Sequence, residues 1–324
     1  MQNELTLHKP GIAIRPRRAH LWTLIWVAMG AAAIFLLLPQ IGELQDSLAP
    51  LHHVQPGSFA LGGLLVMIRY ALAAISLRVA VGQPIPFGPT LLVQVSSAFI
   101  GRFTPEGVGW VVLNQRYLEK TGLSRTSAAA GISLRLCAGA LVRVVIMASV
   151  GSLVGTSAGV FHFDLTASLY LLLIPVVALI VGGIVWRAVG SRAARAKASA
   201  TAAAKEFASF LRQPRRAAAL LGTSAGLPIS YGLVLIASAA AFGVDVAAID
   251  MFAVYLGGTA VAAASPTPGN LGAVEVTLSA GLVAIGVPSG AAVAAVLIYR
   301  LLTFWLPLLP GFLAFRCLQS RHYI

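Results

Sequence analysis

Six stretches of this chain are apolar for long enough to cross a lipid bilayer, and no fold that leaves them in water can accommodate them. They cover approximately residues 21–39, 58–81, 126–156, 166–189, 217–243 and 289–315. The hydrocarbon core takes about 20 residues of helix, and longer runs cross with tilt. Charge is correspondingly scarce: 10% of the 324 residues are charged and 58% are hydrophobic, against about 25% charged in a soluble domain. The expected fold class is all-α: a polytopic helical membrane protein with about six transmembrane helices.

Two shorter apolar pairs remain. One is 88–103 with 107–119, broken at Thr104-Pro105-Glu106-Gly107; the other is 247–264 with 272–285, broken at Pro266-Thr267-Pro268-Gly269-Asn270. Proline removes a backbone donor and glycine loosens the helix, so each pair turns back at its break. Half-length helices of this kind read as re-entrant hairpins, whose irregular backbone is tolerated at membrane depth only when buried in protein or lining a wet cavity.

Basic residues set the orientation. Lys9, Arg15, Arg17 and Arg18 place the N-terminus on the cytoplasmic side, as do Arg316 and Arg321 the C-terminus. Arg102, Arg116, Lys120 and Arg125 put the first hairpin inside, and the strongly basic stretch 187–216 is a cytoplasmic loop. The loops bearing Glu43 and Asp46, and Asp245 and Asp250, fall outside, as does 157–165. The expected layout is a tail at 1–20, one membrane domain at 21–316 and a tail at 317–324, in a cell inner membrane. The run at 21–39 reads as a first membrane helix, being longer than a signal h-region. The Ala-rich segment 191–213 reads as a helix, either on the membrane surface or as a solvated linker.

The net charge of +13 lies at the ends of apolar segments, where it reports topology and anionic lipid, not nucleic acid. Cys137 and Cys317 have no metal-ligand spacing and read as small buried hydrophobes. The histidines (His8, His20, His52, His53, His162, His322) lie in tails and loops, with no HExxH motif, and the sequence carries no P-loop motif. The expectation is a protein that is not an enzyme and needs no metal or other cofactor.

The two breaks resemble each other. Thr104, Pro105 and Gly109 match Thr267, Pro268 and Gly272 in register. Gly122 and Gly286 follow their prolines by 17 and 18 residues, and Arg135 and Arg300 by 30 and 32. Three crossings separate the hairpins, and an odd number inverts the second unit, so repeat one (about 58–156) and repeat two (about 217–315) read as the inverted repeat of many transporters.

An ionisable group at membrane depth costs about 2.5–3.5 kcal/mol on insertion scales and marks a site by default. Arg135 and Arg300 are the main candidates, since the repeat makes them equivalent and a guanidinium holds phosphate in a bidentate way. A second reading stands beside this, in which Glu275 pairs with one of the arginines and locks hairpin to helix. Glu106, Arg69, Arg116 and Arg143 are weaker candidates. Pro105, Gly109, Pro268, Gly269 and Gly272 are candidates because a broken helix offers free N–H groups to an anion.

The stretch from Pro266 to Glu275, with Gly286 and then Tyr299-Arg300-Leu301-Leu302-Thr303-Phe304-Trp305-Leu306-Pro307, resembles the lysylphosphatidylglycerol synthase transmembrane-region family, also called flippase-like domain proteins. The resemblance extends over most of the chain from about residue 20. Its pattern adds Tyr299 to the candidates. Asn270 stands where that pattern has a second Gly, and Trp110 and Val111 stand where it has an acid and an Arg, with Arg116 the nearest substitute. The resemblance implies a domain that moves lipids or lipid-linked molecules between leaflets. The soluble aminoacyl-transferring domain of full synthases is not expected here, nor its activity. The expected function is therefore a lipid flippase or transporter whose partners are anionic membrane lipids. The alternative is a non-catalytic scaffold for a lipid-modifying enzyme, docked through 187–216.

Overall fold

The computed structural model describes residues 56–102, 108–155, 212–265 and 267–324. The expected crossings at 21–39 and 166–189, most of the basic loop 187–216, and Pro105 and Glu106 lie outside these residues. Among the described residues every regular element is helical. They are α1 (Pro56–Val81), α2 (Phe87–Ile100), α3 (Val108–Lys120), α4 (Arg125–Gly155), α5 (Pro214–Ala240), α6 (Ala248–Ala262), α7 (Ala273–Ala284), α8 (Ser289–Arg300) and α9 (Leu308–Ser320). A short tight turn over Pro268–Asn270 precedes α7, and a wide π-type turn over Leu301–Trp305 joins α8 to α9.

Among the described residues four helical runs are long and apolar enough to cross a membrane: α1, α4, α5 and the α8–α9 run from Ser289 to Ser320. Large apolar side chains face outward along them, as with Met67 (69% exposed) and Leu309 (68%). That exposure is costly in water and suits lipid. The chain is a polytopic helical membrane protein. Helix α2 with α3, and α6 with α7, form the two half-length pairs where the sequence breaks predict them. One order thus occurs twice: a long helix, a half-helix pair and another long helix.

Helix α1 packs most extensively along α5, and α9 along α2. Both contacts use small residues. A Cβ on Gly226 would strike Leu72, and one on Gly311 would lie 2.9 Å from the Val95 carbonyl. Lipid offers helices no hydrophobic drive to associate, so close backbone approach and dispersion supply it. The main core lies among α1, α4, α5, α6, α7 and α8, around Leu235, Val254, Leu278 and Ala295. A second core around Leu77, Val93, Tyr117 and Leu318 seats the first hairpin.

Several boundaries differ from expectation. Helix α5 begins at Pro214, a residue favoured in the first turn, so Arg215 and Arg216 belong to a helix and not to the basic loop. Helix α9 runs to Ser320, so the expected tail 317–324 starts helical. Cys137 is exposed, not a buried hydrophobe, because it lies on the outward face of α4 beside exposed Leu136; Cys317 is half-buried.

Arg216 has a structural task. Its Nε donates to the Val79 carbonyl and its Nη2 to the Ala80 carbonyl, both at 2.8 Å. These belong to the last turn of α1, whose carbonyls have no intrahelical partners. Gly82 follows with φ +70° and lies against that guanidinium, where a Cβ would collide. Gly82→Ala is therefore expected to destabilise by about 1–3 kcal/mol, through left-handed strain and displacement of the cap. Gly88 is a control, with nothing within 4 Å of its Cβ position. Thermal unfolding in detergent should lower the Tm of Gly82→Ala and leave that of Gly88→Ala near wild type.

Candidate functional site

Helix α2 carries a polar stripe on an otherwise apolar surface: Thr90, Gln94 and Ser97 fall at helical spacing and all are buried. In lipid or a protein core such groups must find partners, and α3 supplies them. Thr90 Oγ1 shares a hydrogen bond of 2.8 Å with the Tyr117 hydroxyl. Gln94 Nε2 donates to Asn114 Oδ1 at 2.9 Å, and Asn114 Nδ2 donates to the Trp110 carbonyl at 2.8 Å. This zips the first hairpin together and turns the Gln94 oxygen away from Asn114, where it accepts from Arg135 Nη1 at 3.0 Å.

Arg135, on α4, points into a cavity of about 210 Å³. Arg69, Tyr70 and Ala73 of α1, Gln94, Ser97 and Ala98 of α2, and Arg102, Trp110 and Tyr231 complete the lining. Three arginines from separate elements therefore share one small space. Each lies near an aromatic ring: Arg69 at 3.9 Å from the Tyr231 centroid, Arg135 at 5.0 Å from Trp110, Arg102 at 4.3 Å from Phe304. Each also donates to a neutral oxygen: Arg69 to the Leu227 carbonyl at 3.1 Å, Arg102 to the Thr303 carbonyl at 2.9 Å, Arg135 to Gln94. Ring and acceptor fix the guanidinium planes without neutralising them.

The second hairpin is organised around a carboxylate. Glu275 and Arg300 are each 6% exposed, and their ion pair closes at 2.7 Å. The other Glu275 oxygen accepts the Gly272 N–H at 2.8 Å, and Arg300 Nη2 donates to the Gly269 carbonyl at 3.3 Å. Gly269 and Gly272 have φ of +61° and +82°, so the turn needs residues without a side chain. The half-helix N-terminus at Gly272, expected to be open to an anion, is thus occupied by the protein's own Glu275.

The equivalent arginines are accordingly used differently. Arg135 lines the cavity; Arg300 does not, and holds the hairpin turn to α8. Among the described residues, the Arg300–Glu275 and the exposed Arg125–Glu119 contacts are the ion pairs. Arg102, just after α2, and the turn before α7 come together at Phe304, whose ring centroid lies 4.3 Å from the Arg102 guanidinium and 4.5 Å from that of Arg300, while Gly269 faces the Arg102 side chain.

The profile described as the lysylphosphatidylglycerol synthase TM region matches residues 24–311. The chain belongs to the lysylphosphatidylglycerol synthase transmembrane-region family. Among curated proteins none matches it. Membership of the lysylphosphatidylglycerol synthase transmembrane-region family gives the arginine cavity a setting in a membrane protein with a lipid-related function.

The remaining candidates of this family member scatter. Tyr299 is buried in an aromatic group, edge-on to Tyr231 at 6.3 Å and Tyr255 at 6.4 Å. Arg143 donates to Thr259 Oγ1 at 2.8 Å and ties α4 to α6. Gly109 is buried at the start of α3, and Pro268 opens the turn before α7. Arg116 borders a separate open cleft with Glu119, Lys120 and Ile324. Gln94, Arg102 and Tyr231 belong to the cavity without having been singled out by any motif. The polar stripe of α2 was a usable signal for Gln94, whereas Tyr231 joins only through the packing of α5 on α1.

The Glu275–Arg300 pair makes a sharp energetic prediction. Arg300→Met leaves a buried carboxylate unpaired and should cost about 3–5 kcal/mol, whereas Glu275→Leu/Arg300→Met should recover part of that loss. A thermal-shift double-mutant cycle in detergent measures both. A ligand role for Arg300 in place of this structural one would leave the Tm of Arg300→Met near wild type.

Proposed function

We propose that the chain is a lipid flippase or transporter that holds a phosphate-bearing head group in the arginine cavity while the acyl or prenyl tail stays in the bilayer. The observation that carries this reading is the convergence of Arg69, Arg102 and Arg135 on one cavity without a carboxylate among its described lining residues. Three cations held together at membrane depth repel one another and are poorly solvated. An anionic head group relieves both costs, and forked guanidinium donors suit phosphate oxygens.

The same position explains how the group would cross. The cavity shares Arg102 with the contact between the end of α2 and the turn at Pro268–Asn270, and alternating-access transporters keep their fixed site where broken helices meet. Rocking of one repeat against the other would expose the cavity to each leaflet in turn, with the termini on the cytoplasmic side of an inner membrane. Binding and release need no covalent chemistry, and downhill movement or an ion gradient would drive them.

Transport is tested in proteoliposomes with a fluorescent anionic phospholipid whose outer-leaflet fraction is bleached by dithionite. Arg69→Ala and Arg135→Ala should each slow translocation about tenfold or more, while Arg116→Ala, away from the cavity, stays near wild type. Undiminished translocation in the Arg69→Ala/Arg135→Ala protein, folded by size-exclusion chromatography, overturns the reading.

A further inference from the structure

We infer that the cavity selects a lipid ending in a phosphate monoester over one whose phosphate is a diester; the inference rests on the lipid-transport reading above. The argument is one of matching number, charge and donors. Three guanidiniums line the space, none of them paired with a carboxylate among the described residues. Each gives a hydrogen bond to a neutral oxygen and keeps most of its five donors. One of these remaining donors, Arg102 Nε, is buried without a hydrogen-bond partner. Buried donors left in this state call for an explanation.

A phosphodiester such as phosphatidylglycerol carries one negative charge and two unesterified oxygens. It can occupy two guanidiniums fully and leaves the third facing a neutral ester. A terminal monoester carries a charge of about −1.5 to −2 at pH 7 and three strong acceptor oxygens, with its second pKa near 6. Three oxygens meet three guanidiniums, and the second charge neutralises a second cation. A dianion therefore gains one charge-assisted contact that a diester cannot make. The other described lining residues, Gln94, Ser97 and Tyr231 among them, carry no carboxylate that would repel it.

Native mass spectrometry of the full chain in detergent reads this directly, with equimolar phosphatidic acid and phosphatidylglycerol of the same acyl composition. At pH 7.5 phosphatidic acid should be retained about tenfold over phosphatidylglycerol, the value of one added hydrogen bond to a charged group. Lowering the pH to 5.5 with unaltered protein should reduce the ratio to about threefold, as about three-quarters of the free monoester becomes a monoanion. Arg102→Lys, which keeps the charge but loses the fork, should reduce it at pH 7.5. Equal retention of both lipids, still dependent on Arg69 and Arg135, overturns the monoester preference and leaves the anionic-lipid site standing. Competition by glycerol 3-phosphate as effective as that by phosphatidic acid identifies a soluble phosphate ester and overturns the lipid part. Retention of neither lipid, or retention indifferent to Arg69→Ala and Arg135→Ala, overturns this inference and the transport reading together.

Discussion

A backbone carbonyl that loses its helical partner in an apolar setting must find another donor, and in this protein arginine side chains fill that need repeatedly. Pro307 is four residues after Thr303 and has no N–H to give it. The wide turn at Leu301–Trp305, closed by the Leu306 N–H on the Leu301 carbonyl, carries the Thr303 carbonyl outward to Arg102. Arg78 takes the Ile85 carbonyl at 2.9 Å in the link between α1 and α2. Arg216 caps α1, Arg300 holds Gly269, and Arg69 reaches Leu227. Irregular backbone at depth survives only when satisfied in this way. The half-helices, the turns between them and the cavity beside them all depend on it.

This double use of arginine separates two kinds of site. Arg300 spends its charge on Glu275, and with the Gly272 N–H on the same carboxylate the second hairpin becomes a closed unit. Arg69, Arg102 and Arg135 spend hydrogen bonds on neutral oxygens and leave their charge uncompensated by the described residues. A neutral acceptor orients a guanidinium nearly as well as a carboxylate does, but it does not cancel its field. Orientation without cancellation is what a site for an anion requires.

Much of this was legible in the sequence. Long apolar runs and Pro-Gly breaks are one-dimensional signals, and α1, α4, α5, the α8–α9 run and both hairpins fall where those signals put them. Glu275 was also legible as a partner for a membrane arginine. The different fates of Arg135 and Arg300 were not. Both stand at matching distances after their hairpin prolines, and the sequence repeat treats them alike. What separates them is the carboxylate that α7 places against Arg300, where α2 places only the amide of Gln94 against Arg135. The roles of Arg102 and Tyr231 depend on contacts with Phe304 and Arg69, in elements far along the chain, and no local pattern encodes those.

Arg102 joins the open site to the closed one. It lines the cavity, donates to Thr303, and rests on the Phe304 ring that Arg300 also contacts. A phosphate drawing on Arg102 would pull on the guanidinium that satisfies Thr303 and packs on Phe304. Any shift in that contact is felt at the turn between α8 and α9, because the Thr303 carbonyl has no α-helical N–H donor to fall back on. Closed packing transmits small displacements between discrete arrangements and does not absorb them. On the proposed transport reading, the proline at position 307 would therefore link head-group binding beside the first hairpin to the geometry of the second repeat, which is the coupling that alternating exposure of one cavity requires.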